Sequence, residues 1–370
     1  MQVEDIARRI EEIYPLELAQ GWDNVGLLIG DRQKNVRSVL LTIDVTNDVV
    51  NEAKKLKTDL ILSYHPVIWD GLKKITAEWP TGVVYELIRA GIAVFSIHTA
   101  LDATIGGVND GLAEMVGIAD GKPIGDYVAY PASDNYKLVV FVPVESLAEV
   151  SNAIFGAGAG AIGNYSHCSF GAEGTGTFLP QKGAKPSIGR QGRLEKVAEV
   201  RFETIVPVAK LDAVIAAMKK AHPYETPAFD VFKLHNSQAQ FGLGRIGELA
   251  RPVRIARIIK RIKKVTGARA IGLVGKENKL VRRAAVCAGT CGQIINAVIA
   301  AKADFYLTGE LKHHEALAAQ EAGLTCICLS HTVSERFILK KITQQLQNRV
   351  KGIKIRISKK DADPFKWKNV

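Results

Sequence analysis

Residues 38–45 read SVLLTIDV, residues 59–64 read DLILSY and residues 92–98 read IAVFSIH, three strand-like segments rich in branched apolar residues. Helix-like segments lie between them, one from about Asn47 to Lys57 and one at VVYELIRAG (83–91). This βαβαβ order is typical of a mostly parallel sheet covered by helices. The first third of the chain therefore predicts an α/β fold.

The last third of the chain repeats this alternation. RIARIIKRIKKV (254–265) places its isoleucines on one face of a helix. A long helix is predicted from Ser334. The segments between alternate as strand, strand, helix, strand, helix and strand: AIGLVG (270–275), AAVCAG (284–289), INAVIAAKA (295–303), DFYLTG (304–309), HHEALAAQEAG (313–323) and TCICLSH (325–331). Both ends of the chain thus predict one α/β architecture.

The pattern changes in the middle of the chain, where the predicted order is βαββαβ. The segments are KLVVFVP (137–143), SLAEVSNAIFGAG (146–158), HCSFGAEGTGTFLP (167–180), KVAEVRFETIVP (196–207), LDAVIAAMKKAH (211–222) and PAFDVFKL (227–234). This is the ferredoxin-like order. We therefore predict that residues 1–125 and 248–370 form two halves of one α/β domain, and that residues 126–247 form a ferredoxin-like domain inserted between them.

Length and composition exclude several classes of protein. The chain has 370 residues, of which 47% are hydrophobic and 24% charged, which excludes a disulfide-stapled miniprotein and long-range disorder. No apolar stretch approaches the length of a membrane span, and the first residues predict an amphipathic helix rather than a signal peptide. We expect a cytoplasmic protein. The five cysteines form no CxxC pair, and buried free thiols are the expectation.

The charge balance favours anionic partners. The formal net charge is +11, and residues 251–283 contain twelve lysines and arginines against the single acidic residue Glu277. Nucleotides, phosphorylated metabolites and nucleic acid all fit this balance. No nucleic-acid-binding signature accompanies the basic segment, so a solvated surface is the favoured interpretation.

Candidate metal ligands follow three separate strands. His65 follows DLILSY, His98 and Asp102 follow IAVFS, and His331 follows TCICLS. Because ligands bind outside the carboxyl ends of the strands in an open parallel sheet, we expect these side chains at one edge of the domain. Glu335 lies four residues after His331, so a helix would place both on one face.

His65, Asp102, His331 and Glu335 form a mixed nitrogen and oxygen set that suits Zn, Mn or Fe without choosing among them. The set is neither thiolate-rich nor closely spaced, which favours a catalytic site with open coordination positions. A bound divalent ion lowers the pKa of a coordinated water to about 7, which is the chemistry of hydrolysis. Taken singly, each residue also fits a structural role at a loop or cap.

His98 and Glu310 are candidates for acid–base catalysis or for orienting metal ligands. For Glu310, and more strongly for His313 and His314, the alternative is a role in the N-terminal turn of the helix HHEALAAQ. The motif HPYETP (222–227) contains a further histidine and glutamate, and the simpler interpretation is a helix that ends before Pro223 and turns into the next strand.

Five segments resemble a known family. They are GWDNVGLLIGD (21–31), SYHPVIWDGLK (63–73), SIHTALDATIGGVNDGLA (96–113), TGELKHHEA (308–316) and LSHTVSERF (329–337). Together they resemble the Nif-three-like dinuclear metal-centre hexameric proteins, many of which are called GTP cyclohydrolase I type 2 homologs. The order matches over nearly the whole chain, and the middle segment resembles the extra domain of the longer members.

The resemblance implies that His65 and Asp102 bind one metal ion, that His331 binds a second and that Glu335 bridges the two. It also implies a toroidal homohexamer whose metal sites face an internal cavity. One position departs from the family pattern, because Tyr64 precedes His65 where many members have two adjacent histidines. A neutral phenol, with an ordinary pKa near 10, is a weak ligand at pH 7. We therefore expect one or two divalent ions per chain.

The leading expectation is a metal-dependent hydrolase that acts on a small nucleotide-like or phosphorylated substrate, with GTP or another nucleotide among the candidates. The alternative is a non-catalytic metal-binding assembly or regulatory protein that contacts partners through its inserted domain or basic surface. The fold alone does not decide between them.

Overall fold

The computed structural model describes residues 1–128, 135–162, 165–234, 241–290 and 294–366. The protein has a mixed α/β fold with several sheets. Its chain divides into two compact units: unit 1 consists of Met1–Tyr130 and Gln240–Val370, and unit 2 consists of Pro131–Ala239. Within the described part of the chain, no helix is both long enough and apolar enough to cross a membrane.

The first sheet of unit 1 consists of β1 (Gly26–Ile29), β2 (Ser38–Thr42), β3 (Leu60–Ser63), β4 (Ala93–Ser96) and β16 (Lys354–Ile357). The strand order is β1-β4-β3-β2-β16, in which β16, β2, β3 and β4 run parallel and β1 is antiparallel to β4. Every residue of β2, β3 and β4 is buried, as expected for parallel strands that are covered on both faces.

The second sheet of unit 1 has the order β11-β13-β14-β15-β12. Its three central strands are parallel, and β11 and β12 pair antiparallel at its two sides. The strands are β11 (Arg245–Arg254), β12 (Gly272–Val274), β13 (Leu280–Cys287), β14 (Phe305–Thr308) and β15 (Thr325–Cys328), and a separate two-stranded pair consists of β5 (Gly125–Val128) and β10 (Phe241–Leu243). Each of the two five-stranded sheets thus contains at least three adjacent parallel strands.

The helices of unit 1 cover these sheets with amphipathic faces. In α8 (Ile255–Thr266), for example, Ile255, Ile258 and Ile262 are buried, at the spacing that the sequence predicted. The helices are α1 (Val3–Glu11), α2 (Asn47–Lys55), α3 (Gly82–Ala90), α4 (His98–Ala103), α5 (Val108–Val116), α8 (Ile255–Thr266), α9 (Ile294–Ala300), α10 (His313–Glu321), α11 (His331–Arg336) and α12 (Leu339–Arg349).

The predicted start of the last long helix at Ser334 is wrong. Helix α11 already begins at His331, and the longer α12 begins at Leu339. Ser330, the residue before α11, has a positive φ of 81°, so the chain turns sharply from β15 into the helix. As a result His331 and Glu335 both belong to α11.

Unit 2 has the element order βαββαβ and a four-stranded antiparallel sheet with the order β7-β8-β6-β9. Its strands are β6 (Asn135–Pro143), β7 (Ser169–Phe178), β8 (Glu195–Pro207) and β9 (Phe229–Lys233), and its helices are α6 (Leu147–Gly156) and α7 (Leu211–Ala221). The helices pack on one face of the sheet, where Val140 and Phe202 contact Ile154 and Met218 in a separate core.

Cysteines 168, 326 and 328 are free thiols. Cys287 is disulfide-bonded, so the expectation of free thiols is wrong for this residue. Cys291 lies outside the described residues.

Candidate metal centre

The parallel strands of both sheets in unit 1 lead at their carboxyl ends into one cavity of about 510 Å³. From the first sheet, His65 follows β3 and His98 begins α4 just after β4. From the second sheet, Glu310 follows β14 and His331 begins α11 just after β15. All six site residues named from the sequence line this cavity: His65, His98, Asp102, Glu310, His331 and Glu335.

Three of these residues form a compact group with the geometry of a metal site. The Nε2 atom of His65 lies 3.5 Å from Glu335 Oε2, and the Nε2 atom of His331 lies 3.2 Å from Glu335 Oε1. One ligand atom from each residue lies within 4.8 Å of the other two. This group, which we call the His–Glu group, could therefore hold one metal ion.

The Glu335 carboxylate supports this interpretation independently. The residue is only 2% exposed, and its Oε2 atom has no hydrogen-bond partner among the described residues. A buried polar atom without a partner is rare in folded proteins and requires an explanation. A cation held by His65, His331 and Glu335 would supply one, so the residues present fit a divalent metal.

The electrostatics of the group favour positive charge beside Glu335. Burial disfavours a charged imidazole at His65, but the hydrogen bond to Asp44 and the nearby Glu335 carboxylate outweigh it and raise the pKa of His65 to about 10. The Glu335 carboxylate likewise raises the pKa of His331. Burial acts to raise the pKa of Glu335, and the two imidazoles overcome it and hold this pKa below its usual value. A divalent cation beside Glu335 would likewise compensate the negative charge of its carboxylate.

Further polar contacts orient both imidazoles. His65 Nδ1 hydrogen-bonds Asp44 Oδ1 at 2.9 Å, which fixes the ring through the nitrogen that does not face Glu335. His331 Nδ1 lies 3.1 Å from Thr290 Oγ1, and the same hydroxyl donates to Glu310 Oε2 at 2.8 Å. Such contacts fix the tautomer and orientation of metal-binding histidines. Sequence reasoning missed Asp44, although its position two residues after the buried strand β2 was a usable signal.

Gly289 leaves the space beside Glu335 and His331 that the His–Glu group requires. It follows β13 with a positive φ of 65°, and a Cβ at this position would lie 2.7 Å from Glu335 Oε1 and 3.3 Å from His331 Nε2. The backbone conformation favours glycine, and the close approach excludes any side chain without a shift of the carboxylate.

Gly289→Ala is therefore expected to displace Glu335, destabilising the fold by about 1–3 kcal/mol and weakening metal binding by at least about 10-fold. Denaturant unfolding and a Mn²⁺ titration measure the two effects. Gly267→Ala is a matched control, because Gly267 has a φ of 72° with no atom within 4 Å of the added Cβ. It should lose stability while keeping metal affinity. Equal metal affinity in the two variants would contradict the packing role of Gly289.

Asp102 does not join the His–Glu group among the described residues. Its Oδ1 atom accepts a short hydrogen bond from the Tyr64 hydroxyl. Burial raises the pKa of Asp102 to about 6 and raises the pKa of Tyr64 well above its usual value. Tyr64 therefore keeps its proton and acts as a hydrogen-bond donor to the carboxylate.

His98 belongs to a hydrogen-bonded chain that the sequence did not reveal. Its Nδ1 atom contacts Asp23 Oδ1 at 2.8 Å, and Asp23 Oδ2 accepts hydrogen bonds from the backbone N–H and the hydroxyl of Thr99. Burial opposes ionisation of Asp23, but the bonds from His98 and Thr99 outweigh it and lower the pKa of Asp23. Asp23 lies in the quoted segment GWDNVG, which was the available signal.

The adjacent histidines lie in the N-terminal turn of a helix, which was the interpretation favoured from the sequence. His313 and His314 form the exposed first turn of α10 and do not line the cavity. Glu310 precedes that helix and lies 3.7 Å from His331 Nδ1. It therefore belongs to the cavity rather than to the helix N-terminus.

Exposed aromatic side chains surround the cavity. Trp22 is 66% exposed and Trp69 is 54% exposed, and both rings meet His98 edge-on, with centroids 5.9 and 5.2 Å away. Phe365 lines the same cavity. No lysine or arginine is among the described residues that line it. The cavity thus combines flat apolar surfaces with carboxylates and imidazoles.

Sequence comparison assigns the chain to a known family. The family model described as Duf34/NIF3 (NGG1p interacting factor 3) matches residues 1–364. The chain belongs to this family. A Bacillus subtilis member named GTP cyclohydrolase 1 type 2 homolog is 36% identical over 366 residues, covering 98% of this chain and 97% of that protein. A Mycobacterium tuberculosis member of the same name is 40% identical over 322 residues, covering 85% and 83%.

Solved structures share the fold along nearly the whole chain. A Bacillus cereus protein related to NIF3 matches with a TM-score of 0.80 at 38% identity, covering 99% of each chain. A Staphylococcus aureus protein, SA1388, matches with a TM-score of 0.77 at 26% identity, also covering 99% of each chain. The resemblance found in the sequence is therefore confirmed at the level of the family.

Proposed function

We propose that the protein is a metal-dependent hydrolase acting on a small nucleotide-like substrate. The observation that carries the proposal is the His–Glu group, in which Glu335 Oε2 is buried without a partner at a cavity large enough for a small molecule. Three protein ligands leave coordination positions open, as in catalytic rather than structural sites.

His65, His331 and Glu335 would hold the metal ion. When bound, a divalent ion supplies an activated water at neutral pH and polarises a substrate oxygen. Asp44 and Thr290 keep the two imidazoles in place through their second nitrogens. The protein thus fixes its ligands before any substrate arrives.

His98 is positioned to move a proton in this cavity. Asp23 binds His98 Nδ1 and holds it as a donor, which leaves Nε2 as the basic nitrogen. Glu310, which accepts from Thr290 at 2.8 Å, is the second candidate for proton transfer. We propose His98 as general base or acid and Asp23 as the residue that positions it.

The aromatic surfaces support a planar substrate. Trp22 and Trp69 offer exposed ring faces beside His98, and heterocyclic bases stack on such faces. The described lining lacks the lysines and arginines that usually bind phosphate, so the ring system rather than a phosphate is the part we expect these side chains to recognise. Relatives named GTP cyclohydrolase 1 type 2 homolog make GTP the first compound to test.

The test is metal content per chain together with hydrolysis of a nucleotide panel that includes GTP, on the wild-type protein and on His65→Ala. Loss of both metal and turnover in the variant supports the proposal. Metal binding without turnover of any panel compound favours the alternative, a metal-binding assembly or regulatory protein. Absence of metal under all loading conditions rejects both.

A second metal ion is expected to bind more weakly than the first, because the Tyr64 hydroxyl already engages Asp102. Tyr64→Phe frees that oxygen, so we expect the second step of a Mn²⁺ titration at about pH 8 to tighten by about 10-fold, the value of roughly one hydrogen bond. The first step, at the His–Glu group, serves as the internal control. An unchanged second step would show that Tyr64 does not limit this site.

Metal binding is expected to strengthen as the pH rises. Without a cation, His65 has a pKa of about 10, so its ring carries a proton near pH 7, and the Glu335 carboxylate raises the pKa of His331 as well. Ligation requires neutral rings, so each displaced proton makes the observed affinity rise about 10-fold per pH unit. Mn²⁺ dissociation constants at about pH 6.5 and 7.5 measure this. His313→Ala, an exposed histidine outside the cavity, should keep the slope, and a pH-independent affinity would contradict the prediction.

The proposal extends to the rest of the molecule. We propose that unit 2 is a ferredoxin-like domain inserted into the metal-binding domain, supported by its βαββαβ order and its antiparallel sheet. Membership of the family supports a homohexamer, which sedimentation or light scattering would test. A cytoplasmic location and a small-molecule partner complete the proposal.

A further inference from the structure

Unit 2 contains a cavity that the proposed hydrolase does not use. It has a volume of about 630 Å³ and is lined by residues of β6, β7 and β8 together with two loop segments, 179–188 and 224–228. Phe141, Ala172 and Arg201 form one row across the sheet. They alternate with the residues that pack under α6 and α7, so the cavity lies on the opposite face of the sheet.

The HPYETP motif builds one wall of this cavity. His222 Nε2 donates to the Phe141 carbonyl at 3.0 Å, while its Nδ1 accepts from the Tyr224 backbone N–H at 3.1 Å. Glu225 Oε1 accepts from the Lys185 backbone N–H at 2.9 Å, which joins the two loop segments. The motif is therefore more than a helix stop, because its side chains fix the loops around the cavity.

Glu199 is the buried charged group of this cavity. The residue is 7% exposed, and its Oε1 atom accepts from the Tyr224 hydroxyl at 2.8 Å. Its carboxylate lies over Gly176, where an added Cβ would be 2.1 Å from Oε2. Among the described residues, no lysine or arginine pairs with Glu199 and no donor is seen on Oε2.

A buried carboxylate without a cation is costly unless something else compensates for it. The remaining surroundings are largely apolar, since Phe141, Phe178, Pro180 and Ile188 line the same space. The volume is in the range of small-molecule sites, which combine apolar walls with a few placed polar groups. Arg201 also lines the cavity, but its Nε atom pairs with Glu203 Oε1 at 2.9 Å rather than with Glu199. A ligand with a positive charge on a small apolar body would therefore complement Glu199.

We propose that this cavity is a second binding site, for a small molecule that carries a primary ammonium group on an apolar body. The ammonium group binds Glu199 Oε2, and the apolar body lies against Phe141 and Phe178. Arg201 lines the same cavity and lies two residues from Glu199 on the same face of β8. Glu203 engages its Nε atom, and the other guanidinium N–H groups give a carboxylate on the same molecule a partner, so an amino acid also fits.

Three probes of similar shape test the proposal on the full-length wild-type protein. They are phenethylamine, phenylalanine and 3-phenylpropionate, titrated by saturation-transfer difference NMR at about pH 7.5, where the amine is protonated. We expect the two ammonium compounds to bind with millimolar or lower dissociation constants and 3-phenylpropionate to bind at least about 10-fold more weakly. Equal binding of 3-phenylpropionate and phenethylamine, or no binding of either ammonium compound, would overturn the proposal.

Two variants locate the binding. Glu199→Gln removes the charge with little change of shape and should weaken phenethylamine at least about 10-fold. Glu173→Gln is the control, because Glu173 is an exposed residue of β7 at the same cavity whose side chain alternates to the other face of the sheet. It should leave the affinity within about 2-fold, and equal losses in the two variants would overturn the assignment to Glu199. The selectivity among the three probes is measured on wild-type protein and does not depend on either variant folding.

Discussion

Glu335→Gln is expected to abolish tight metal binding, with the dissociation constant for Mn²⁺ rising about 10²–10³-fold. The carboxylate contacts both imidazoles of the His–Glu group and supplies its only negative charge. Glutamine keeps the shape but brings no charge, so the cation would lie in a buried site without compensation, at a cost of about 3–5 kcal/mol. Elemental analysis and a Mn²⁺ titration measure the loss.

The same substitution has a second readout that needs no metal. Glu335 is the largest cause that raises the pKa of His331, and with Asp44 it raises the pKa of His65 to about 10. In metal-free Glu335→Gln, both pKa values should therefore fall, and that of His65 should stay partly raised because its hydrogen bond to Asp44 is kept. Histidine NMR titrations follow this, with Glu321→Gln, an exposed carboxylate at the end of α10, as control. Unchanged metal content in Glu335→Gln would refute the assignment of the site.

The sequence predicted those features that follow from the backbone pattern. Branched apolar strands separated by helices indicated the α/β fold, and the carboxyl ends of the strands indicated where His65 and His331 would lie. The four-residue spacing of His331 and Glu335 correctly placed them on one helix face, although α11 begins three residues before the predicted helix start. Hydrophobic periodicity locates helices better than it locates their ends.

The supporting contacts could not be predicted in the same way. Asp23 lies 75 residues from His98, and Asp44 lies 21 residues from His65, so each pair meets only through the tertiary fold. A single aspartate in a turn or after a strand is common without such a role. Tyr64 was identified as a departure from the family pattern, but its hydrogen bond to Asp102 required the structure.

The electrostatic character of the cavity also depends on the fold. The sequence carries a formal net charge of +11, yet the described lining of the cavity contains carboxylates and imidazoles and no lysine or arginine. The overall charge therefore says little about this site, because the basic residues lie elsewhere. Local charge, rather than the total, determines how a substrate is oriented.

His98→Ala is expected to lower kcat by about 10²–10⁴-fold while leaving metal content unchanged, once a hydrolysed substrate is known. The reason is the separation of tasks in the cavity, since His98 contacts Asp23 and is not part of the His–Glu group. A loss of metal together with activity would show instead that His98 is a ligand. Unchanged activity would exclude it from proton transfer.

Asp23→Asn tests how His98 is prepared for that role, and we expect a kcat loss of about 10²–10⁴-fold with normal metal content. The Asp23 side chain is fully buried, and its carboxylate keeps the proton of His98 on Nδ1. An amide can donate to Nδ1 instead, which moves the ring proton to Nε2 and removes the basic nitrogen. Thr99→Val is the matched control, since it removes one donor to Asp23 and keeps the backbone donor and His98. Its kcat should fall by less than about 10-fold, with an unchanged pH–rate profile. Asp23→Asn should change the shape of that profile, because its amide favours the His98 tautomer that lacks a basic Nε2.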